Sequence, residues 1–574
     1  MRKLFSSPQL FHRIAPVFFV VSLLVIYLFS IAPDITWAHD GTDGGDLMSA
    51  AATGGIAHPT GYPTFLWLAR LFQLLPVGTI AYRTNLMSAV FTALTAFLIY
   101  DIVVSSPNSP AKDNHLAGLI AGYAYGLSPL AWSQAVITEV YPLHIFFVVL
   151  ILWLLVGRFA YSPNKSLLDV LTGLLMGLAM GNHLTSAALL PVVLFVAIVP
   201  PPSPEPKKKK KVAKKKDAQA SIDWASLDWA SFGRRLGSVL VALLLVYASI
   251  LWQASTRPPI NWGRADNLNN LWWLISGALY EHLAFTLPID EMLLRTISVA
   301  QLLLTQFWIL GVLAGLYHLF GNFSLSRLSL SMAWVAATNT IFSLGYASLD
   351  SFIYLLPLFC IFAIWIGFGI ANITRRLGKQ TDWLNLGLSA ILLVSLWGLA
   401  VTNYPKLDLS GDHLTQKFEK AAMATLPAQA IVVTSDRALF SLWYYHFVQK
   451  ERPDIAIVAR GLLPNAWYID VLHDTYSTLN ISSKDVVTSN SSTQAASIGS
   501  DVNATEAQTE AEAEASLAKS IGQANPMRPV CTVEVFNEPM SVVAQMSLIC
   551  YLPASQKSDT PSISISQPID TIDQ

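Results

Sequence analysis

Long apolar runs recur along most of this chain, and they constrain its fold more than any other feature. About eleven runs of roughly 17–25 residues lie between residues 14 and 402, each long enough to cross a bilayer. Lipid gives backbone amides no hydrogen-bonding partner, so such runs are typical of transmembrane helices. Hydrophobic residues make up 53% of the chain and charged residues only 13%, which excludes an ordinary soluble protein. We predict an all-α polytopic membrane protein with about eleven spans.

The basic residues give this protein an orientation. A Pro/Lys-rich loop at 200–230 contains Lys207 and Lys216 and is predicted to be cytoplasmic, as are the other basic clusters. The N-terminus then lies inside, its first apolar run being kept as a span and not cleaved. The loop after that span and all residues after Asn403 lie outside. We expect a multi-pass protein of a bacterial plasma (inner) membrane, with its polar site on the extracytoplasmic face.

The chain divides into three regions by composition. Residues 1–403 form the predicted transmembrane domain, and residues 404–475 alternate helical and strand-like patterns, which indicates a small α/β extracytoplasmic module. Residues 476–574 are rich in Ser, Thr, Ala and Glu and are predicted to be largely disordered, with possible strands near 528–552. Two cysteines near those strands, Cys531 and Cys550, could form a disulfide in an oxidising compartment.

The first predicted outer loop has an unusual concentration of acids and histidines. His39, Asp40, Asp43 and Asp46 lie among glycines, which allow tight turns and close approach of a ligand, and His58 follows twelve residues after Asp46. A carboxylate in such a loop can accept a proton from an attacking hydroxyl or hold a divalent cation. The alternative is a solvated acidic loop with no chemistry.

Further polar residues fall at the same predicted outer ends of the spans. Each has a purely structural alternative. The acid between spans 3 and 4, Glu139, could lie in a short hydrated turn, and His183 could be an interior histidine whose hydrogen bonds are satisfied. The tryptophans could lie at the membrane interface, and Asp350 could be a helix N-cap. As a set they predict a substrate site at the outer membrane surface. Its candidates, besides His58, are Glu139, Tyr141, Asn182, His183, Arg257, Asn261, Trp262 and Asp350.

Five ordered segments carry a resemblance to a known family. The loop from DGTDGGD to HPTGYP, SQAVITEVYPLH, GLAMGNHLT, RPPINWG and DSFIYLLP together resemble the transmembrane protein O-mannosyltransferase family, once a domain of unknown function. That family is similar to the GT-C superfamily of glycosyltransferases, whose members use polyprenyl-phosphate-linked sugars. The family more often has Asp-Ser-Gly-Glu where this chain has Asp43, two glycines and Asp46, and a proline where it has Thr60.

The resemblance implies a GT-C-like helical bundle and a reaction. A sugar, mannose in the relatives, would move from a polyprenyl-phosphate carrier to an acceptor hydroxyl on a protein, glycan or lipid. Asp43 would act as general base with Asp46 as its helper, giving inversion by single displacement. The leaving phosphate would be stabilised by Arg257, His183 or His58. Some superfamily members use a divalent metal and others do not, so a metal is possible and no other cofactor is expected.

Two other classes of protein remain as alternatives. A transporter or flippase of lipid-linked saccharides would place polar residues through the bilayer midplane and show internal repeats. A non-catalytic envelope assembly protein would leave the acids of the first loop dispensable. The sequence contains no Walker A or Rossmann motif and no nucleic-acid-binding signature, so the expected partners are lipid-linked sugars, acceptors and membrane lipids.

Overall fold

Helices make up most of this protein. The computed structural model describes residues 8–106, 109, 111, 114–156, 164–198, 227–377, 382–481, 516–537, 544–551 and 563–568. Most of the predicted cytoplasmic loop, including Lys207–Lys216, lies outside these residues.

The helices of the membrane region follow the apolar runs, with short helices between them. Thr79 caps the long helix Ile80–Ser105 by accepting a hydrogen bond from the Tyr82 amide, and Pro63 and Pro129 stand in the first turns of two short helices. The first nine helices are α1 (Pro8–Ser30), α2 (Gly44–Thr53), α3 (Pro63–Gln73), α4 (Ile80–Ser105), α5 (His115–Gly126), α6 (Pro129–Ala135), α7 (Tyr141–Val156), α8 (Lys165–Asn182) and α9 (Leu190–Ile198). The next six are α10 (Trp229–Ser255), α11 (Leu268–Ile275), α12 (Ile289–Gly321), α13 (Arg327–Gly345), α14 (Leu356–Leu377) and α15 (Asp382–Leu407).

Six helical segments among the described residues are long and apolar enough to cross a membrane. They are Ile80–Ser105, Trp229–Ser255, Ile289–Gly321, Arg327–Gly345, Ser351–Leu377 and Leu386–Leu407, and shorter apolar helices occupy Ile14–Ser30, Tyr141–Val156 and Leu184–Ile198. The predicted multi-pass helical protein is thus confirmed, whereas the count of eleven spans stays a prediction.

The bundle is organised around α4 and α14. Helix α4 packs against α1, α5 and α7, and α14 packs against α5 and α12. In the apolar window of Ser351–Leu377, 89% of the residues are buried, against 28% in Ile289–Gly321. Helix α12 therefore lies at the periphery, with much of its surface facing the surroundings of the bundle.

A small sheet follows the last span. The elements are α16 (Leu414–Thr425), β1 (Ile431–Thr434), α17 (Asp436–Trp443), β2 (Ala456–Ala459), α18 (Ala466–Thr475), β3 (Val530–Asn537), β4 (Ala544–Tyr551) and β5 (Ile563–Pro568). The strand order is β2-β1-β3-β4-β5. Strand β1 pairs parallel with β2 and β3, while β3–β4 and β4–β5 are antiparallel. The predicted small C-terminal α/β region is confirmed, and its sheet also includes strands from the segment near 528–552.

Two cysteines lie opposite each other in this sheet. Cys531 of β3 pairs in register with Cys550 of β4, and the two form a disulfide. The bond ties together two strands that the chain separates by a segment outside the described residues.

The C-terminal module is fixed to one end of the helical bundle. The Trp37 indole donates a hydrogen bond of 3.0 Å to the Arg437 carbonyl oxygen, and Gln416 Nε2 donates to Asp34 Oδ2 at 2.6 Å. The amide of Ala81 donates to the Tyr444 hydroxyl at 3.2 Å. These contacts surround the acidic loop, so the module forms part of the environment of the candidate site.

Candidate active site

The acidic loop folds into a tight turn that leads directly into α2. Residues Ala38–Asp43 form a short 3₁₀ helix in which His39 and Asp40 have φ of 57° and 63°. Asp43 is the N-cap of α2 and Asp46 lies in its first turn. Carboxylates are favourable there because the first turn of a helix presents unpaired amide groups and the positive end of its dipole.

Asp46 is the centre of a buried hydrogen-bonded array. Its Oδ2 accepts from the His58 amide at 2.8 Å and contacts His58 Nδ1 at 2.7 Å. Its Oδ1 accepts from the Trp262 indole at 3.0 Å. The Asp46 side chain is 0% exposed, and its two oxygens face three donors. We call these three residues the Asp46–His58–Trp262 array.

Asp43 lies at the open edge of this array. Its Oδ2 is 3.4 Å from His58 Nε2, and its side chain is 49% exposed while that of His58 is only 6% exposed. His58 is therefore enclosed between two carboxylates, one buried and one facing outwards. This arrangement makes Asp43 the carboxylate of the pair that an incoming molecule can reach.

His58 is the buried cation of the site. Burial by itself lowers the pKa of this imidazole, but the charge of Asp43 and the hydrogen bond and charge of Asp46 outweigh burial and raise the pKa to about 9. The ring is consequently protonated at neutral pH, so both of its nitrogens donate towards carboxylate oxygens. A protonated ring between Asp43 and Asp46 fixes the separation and orientation of both acids.

Glu139 is a second buried acid at the same end of the bundle. Burial, followed by the charge of Asp43, raises the pKa of Glu139 well above its usual range, and Asp350 adds to the rise. Glu139 Oε2 accepts a hydrogen bond of 3.2 Å from the Val140 amide. Asp350, which accepts a hydrogen bond from the Ser348 hydroxyl, also acts through its charge on Asp40 and so lies near the acidic loop; its role in the site stays a prediction.

Three tyrosine rings pack around the His183 ring. Ring centroids of Tyr62, Tyr141 and Tyr354 lie 6.2, 5.6 and 5.8 Å from that of His183. The His183 ring contacts the Thr185 hydroxyl at 2.7 Å through Nδ1. The neighbouring Asn182 donates from Nδ2 to the Val140 carbonyl oxygen at 3.2 Å. Tyr141, Asn182 and His183 are therefore brought together with Glu139.

The segment that carries Trp262 is held beside the HPTGYP turn by backbone contacts. Ile56 forms an isolated parallel bridge with Asn261, and the Ile56 amide donates to the Ile260 carbonyl oxygen at 2.9 Å. Gly55 permits this approach, since a Cβ there would lie 2.3 Å from the same oxygen. Asn261 donates from Nδ2 to the Ala254 carbonyl oxygen at 3.2 Å and so fixes the turn that positions Trp262.

Arg257 is not part of this grouping. Its Nη1 lies 3.2 Å from Asp474 Oδ1 on α18, and its side chain is 64% exposed. The neighbouring Arg264 contacts Asp470 at 2.6 Å and Asp474 at 3.1 Å. Both arginines join the loop after α10 to the C-terminal module, and the prediction that Arg257 binds an anion remains untested.

Several site residues were not predicted. Tyr62 stands within the quoted HPTGYP segment, and His144 lies three residues after Tyr141, one turn further along α7, with its ring 5.0 Å from that of His183. Both could have been found from these spacings. Phe440 and Trp443, whose rings lie 6.3 and 6.4 Å from that of Trp262, had no sequence signal, because they belong to the distant C-terminal module.

The donor set for a metal is limited. In the part of the chain that the structure describes, no three His, Cys, Asp or Glu side chains are grouped to hold a metal ion. Asp43 and Asp46 both direct an oxygen to His58, so their shared partner is an imidazole.

The fold and the site together define the class of this protein. It is a polytopic membrane protein with an acid–histidine–tryptophan array at one end of its helical bundle. Residues 43–204 match the family model described as the protein O-mannosyl-transferase TMEM260 N-terminal domain. The chain is thus related to these proteins, and the predicted resemblance is confirmed.

Two relatives show how far this relation extends. The mouse (Mus musculus) protein O-mannosyl-transferase TMEM260 is 26% identical over 460 residues, which cover 75% of this chain and 60% of the mouse protein. A Dictyostelium discoideum protein of the same name is 31% identical over 137 residues, covering 23% of this chain and 16% of that protein. The chain thus spans less than two thirds of the length of either relative.

Two solved structures are similar to this one. ArnT from Cupriavidus metallidurans, bound to undecaprenyl phosphate, has a TM-score of 0.48 at 13% identity and covers 78% of this chain and 91% of its own. The second is the oligosaccharyltransferase AglB from Archaeoglobus fulgidus, in complex with an inhibitory peptide and a dolichol-phosphate. It has a TM-score of 0.48 at 11% identity and covers 91% of this chain and 70% of its own.

Proposed function

We propose that this chain is a membrane glycosyltransferase that moves a sugar, mannose by analogy with its relatives, from a polyprenyl-phosphate carrier to an acceptor hydroxyl. The observation that carries the proposal is the position of Asp43. It is the half-exposed carboxylate at the edge of the otherwise buried Asp46–His58–Trp262 array. The relation to proteins named as O-mannosyl-transferases supports the reaction class.

Asp43 fits the role of general base better than Asp46. A base must come within hydrogen-bond reach of the hydroxyl whose proton it removes. Asp46 is fully buried and its oxygens already face His58 and Trp262, so an acceptor would have to displace these donors. Half of the Asp43 side chain is exposed, so an acceptor can approach this carboxylate from outside the array.

The reaction is a single displacement. The Asp43 carboxylate takes the proton of the acceptor hydroxyl as the hydroxyl oxygen forms a bond to the anomeric carbon. The bond between that carbon and the carrier's phosphate oxygen breaks on the opposite face, and its electron pair leaves with polyprenyl phosphate. Asp43 then gives its proton to water. Attack and departure on opposite faces invert the anomeric configuration.

The other members of the site would bind and orient the substrates. Protonated His58 holds Asp43 at the edge of the array, and Trp262 holds Asp46. Burial raises the pKa of Glu139 well above its usual range and so favours the protonated form, which would donate a hydrogen bond to a sugar hydroxyl. His183, Tyr141 and Asn182 lie on the same side and would line the sugar pocket. Asp350 lies near them.

The acceptor is proposed to be a serine or threonine hydroxyl of a protein. The mouse relative is named a protein O-mannosyl-transferase, and the rim of the site is formed partly by the C-terminal module, outside the predicted spans. With the N-terminus inside, this rim faces the extracytoplasmic side. The donor would then be a lipid-linked sugar that reaches the site from the membrane.

The test is sugar transfer by the purified full chain in lipid nanodiscs. Polyprenyl-phosphate mannose and a mixture of Ser/Thr peptides are supplied to the wild type, to Asp43→Asn and to the matched control Asp40→Asn, three residues earlier on the same loop. We expect the wild type and the control to transfer mannose and Asp43→Asn to lose at least a hundredfold in rate, the lower end of a general base's contribution. Equal transfer by Asp43→Asn would refute its role as base. Donor left unconsumed by the wild type would favour a transporter.

A further inference from the structure

A groove on the surface of the bundle lies away from the candidate active site and has no part in the proposed reaction. Helix α12 consists of two helical parts joined at Trp308, whose backbone angles are not helical (φ 52°, ψ 173°). The second part, residues 309–321, forms one wall of the groove, and α15 forms the other. Helix α14 lies between them and contributes Ile370 and Ile373 to the lining. We call this feature the α12–α15 groove.

The α12–α15 groove is continuous along both of its walls. The part nearer Arg376 has a volume of about 530 Å³, and the part nearer Trp308 has a volume of about 640 Å³. Leu310 and Ile391 line both parts, so the two parts join. On α15 the lining residues recur at intervals of three or four and so mark one face of the helix. They include Leu388, Ile391, Ser395 and Gly398.

The gap exists because α12 packs more closely on α14 than on α15. A Cβ at Gly369 would lie 1.9 Å from the Ala314 carbonyl oxygen, so the backbones of α12 and α14 are in close contact there. On the two walls of the groove, by contrast, Leu313 and Ile391 remain 55% and 58% exposed. An unfilled apolar gap forfeits van der Waals contacts. An apolar chain from the surrounding membrane would restore them.

A cation lies at one end of the α12–α15 groove. Of the described residues that line it, Arg376 is the one with a charged side chain. Its Cζ lies 5.4 Å from the centre of the Tyr317 ring, and its Nη2 is 3.5 Å from Asn322 Oδ1. Both partners are neutral, and the arginine side chain is exposed. Residues 375–382 contain three basic side chains and one acid, so this end of the groove suits an anion.

The length of the groove matches one leaflet of a bilayer. Along α15 its lining extends from Leu388 to Gly398, which at ~1.5 Å per residue is about 15 Å. This is half of a hydrocarbon core of about 30 Å. Trp308 lies at the far end of the groove, where a Cβ at Gly398 would come within 3.4 Å of its ring. A groove that begins at the membrane surface beside Arg376 therefore ends near the bilayer midplane.

The cationic end of the groove lies at the other end of the bundle from the acidic loop. Helix α14 begins at Leu356, shortly after Asp350, whose charge acts on Asp40. Arg376 stands in the last turn of this helix. The 22 residues of α14 give it a length of about 33 Å at ~1.5 Å per residue. The groove therefore faces the leaflet away from the candidate active site, which the basic residues predict to be cytoplasmic.

We propose that the α12–α15 groove binds one anionic phospholipid of this leaflet. Its phosphate lies against Arg376, and one acyl chain lies between the second part of α12 and α15, ending near Trp308. The lipid fills the gap and holds α15 against α12. A net negative charge on the lipid is favoured because each basic residue near the headgroup attracts it, whereas a zwitterionic headgroup also brings a cation. The proposal does not rest on the proposed sugar transfer.

Lipid binding can be measured by native mass spectrometry on the purified full chain in detergent. Phosphatidylglycerol and phosphatidylcholine with the same acyl chains are titrated separately, and the wild type should bind one phosphatidylglycerol about fivefold or more tightly than phosphatidylcholine. Arg376→Gln should weaken phosphatidylglycerol binding about tenfold or more, as for hydrogen bonds to a charged group. The matched control is Arg375→Gln, which removes the neighbouring charge, held by Asn372 outside the groove lining; its loss should be about fivefold at most.

A second pair of variants tests the apolar part of the site. Ile391→Trp places a larger side chain in the groove without changing any charge, and it should weaken binding of both lipids about tenfold. Leu386→Trp is its control, because Leu386 is an exposed residue of the same helix outside the groove lining, and it should bind both lipids as the wild type does. Three results would each overturn the proposal: equal affinity of the wild type for the two lipids, equal losses in Arg376→Gln and Arg375→Gln, or wild-type binding by Ile391→Trp.

Discussion

Replacing Asp46 by asparagine tests whether the buried array is held together by charge. An asparagine has one acceptor end and one donor end, so it can satisfy His58 or Trp262 but not both. With the oxygen turned to His58, the amide N–H₂ group faces the Trp262 indole N–H, which at present donates to Asp46 at 3.0 Å. A buried donor without a partner costs about 1–3 kcal/mol.

Loss of the Asp46 charge also lowers the free energy of unfolding, by an amount that depends on pH. His58 has a pKa of about 9 against an ordinary value of 6.5, and at about 1.36 kcal/mol per unit this difference corresponds to roughly 3 kcal/mol. Because the folded pKa is the higher one, the stabilisation is fully present below pH 6.5 and is lost as the pH rises through about 9. Without the Asp46 charge, burial keeps His58 closer to its neutral form.

The assay is thermal unfolding in detergent, followed by tryptophan fluorescence between pH 6 and pH 10. We expect Asp46→Asn to unfold several degrees below the wild type at pH 6, with a smaller difference at pH 10. His58→Gln should remove most of this pH dependence, and Asp40→Asn, an exposed neighbour, should follow the wild type. An Asp46→Asn difference of the same size at pH 6 and pH 10 would refute an ionised pair.

Two further substitutions probe the contacts that enclose the array. Trp262→Phe keeps the ring contacts with Phe440 but removes the indole donor to Asp46; we expect a loss of about 1 kcal/mol in stability and a clear fall in transfer rate, and unchanged transfer would show that the orientation of Asp46 is unimportant. Gly45→Ala would bring a Cβ to 2.7 Å from the Phe440 carbonyl oxygen, so we expect α17 to move off α2 and limited proteolysis to cut the C-terminal module faster. Gly461→Ala is its control, because that Cβ would meet no atom within 4 Å and the residue has no positive φ, and equal proteolysis of both variants would contradict a tight interface.

The sequence predicts the multi-pass helical character of the chain because this signal is local. A run of apolar residues specifies a span wherever it occurs, and polar residues at span ends can be assigned to one face by counting spans. The placement of Glu139, His183 and Asp350 at the same end as the acidic loop is of this kind. Such reasoning assigns a face of the membrane, but it does not give distances between residues on that face.

The Asp46–His58–Trp262 array shows what local patterns leave out. The first two residues are twelve positions apart, one in the first turn of α2 and the other just after that short helix, so their proximity could be expected. Trp262 reaches Asp46 only because Ile56 pairs with Asn261 and Gly55 lets the backbones approach. That pairing joins segments about 200 residues apart, and nothing in the composition of either segment encodes it.

The arginines illustrate a second limit. Arg257 stands in a loop rich in tryptophan and was predicted to bind an anion, yet its side chain meets Asp474 of α18, a residue in a module that the sequence treats separately. Arg264, in the same loop, likewise contacts Asp470 and Asp474 of that helix.

Asp43 and Asp46 differ in burial, and this difference separates their roles. Asp46 has the shorter side chain where the family more often has glutamate, yet it still reaches His58 at 2.7 Å and Trp262 at 3.0 Å, so the array closes without the extra methylene. His58, once bound to Asp46, presents its other nitrogen to Asp43. A buried acid thus orients a buried cation, and the cation orients an exposed acid. Because Asp43 is the member of this chain of contacts that faces outwards, we propose it as the group that takes a proton from an acceptor.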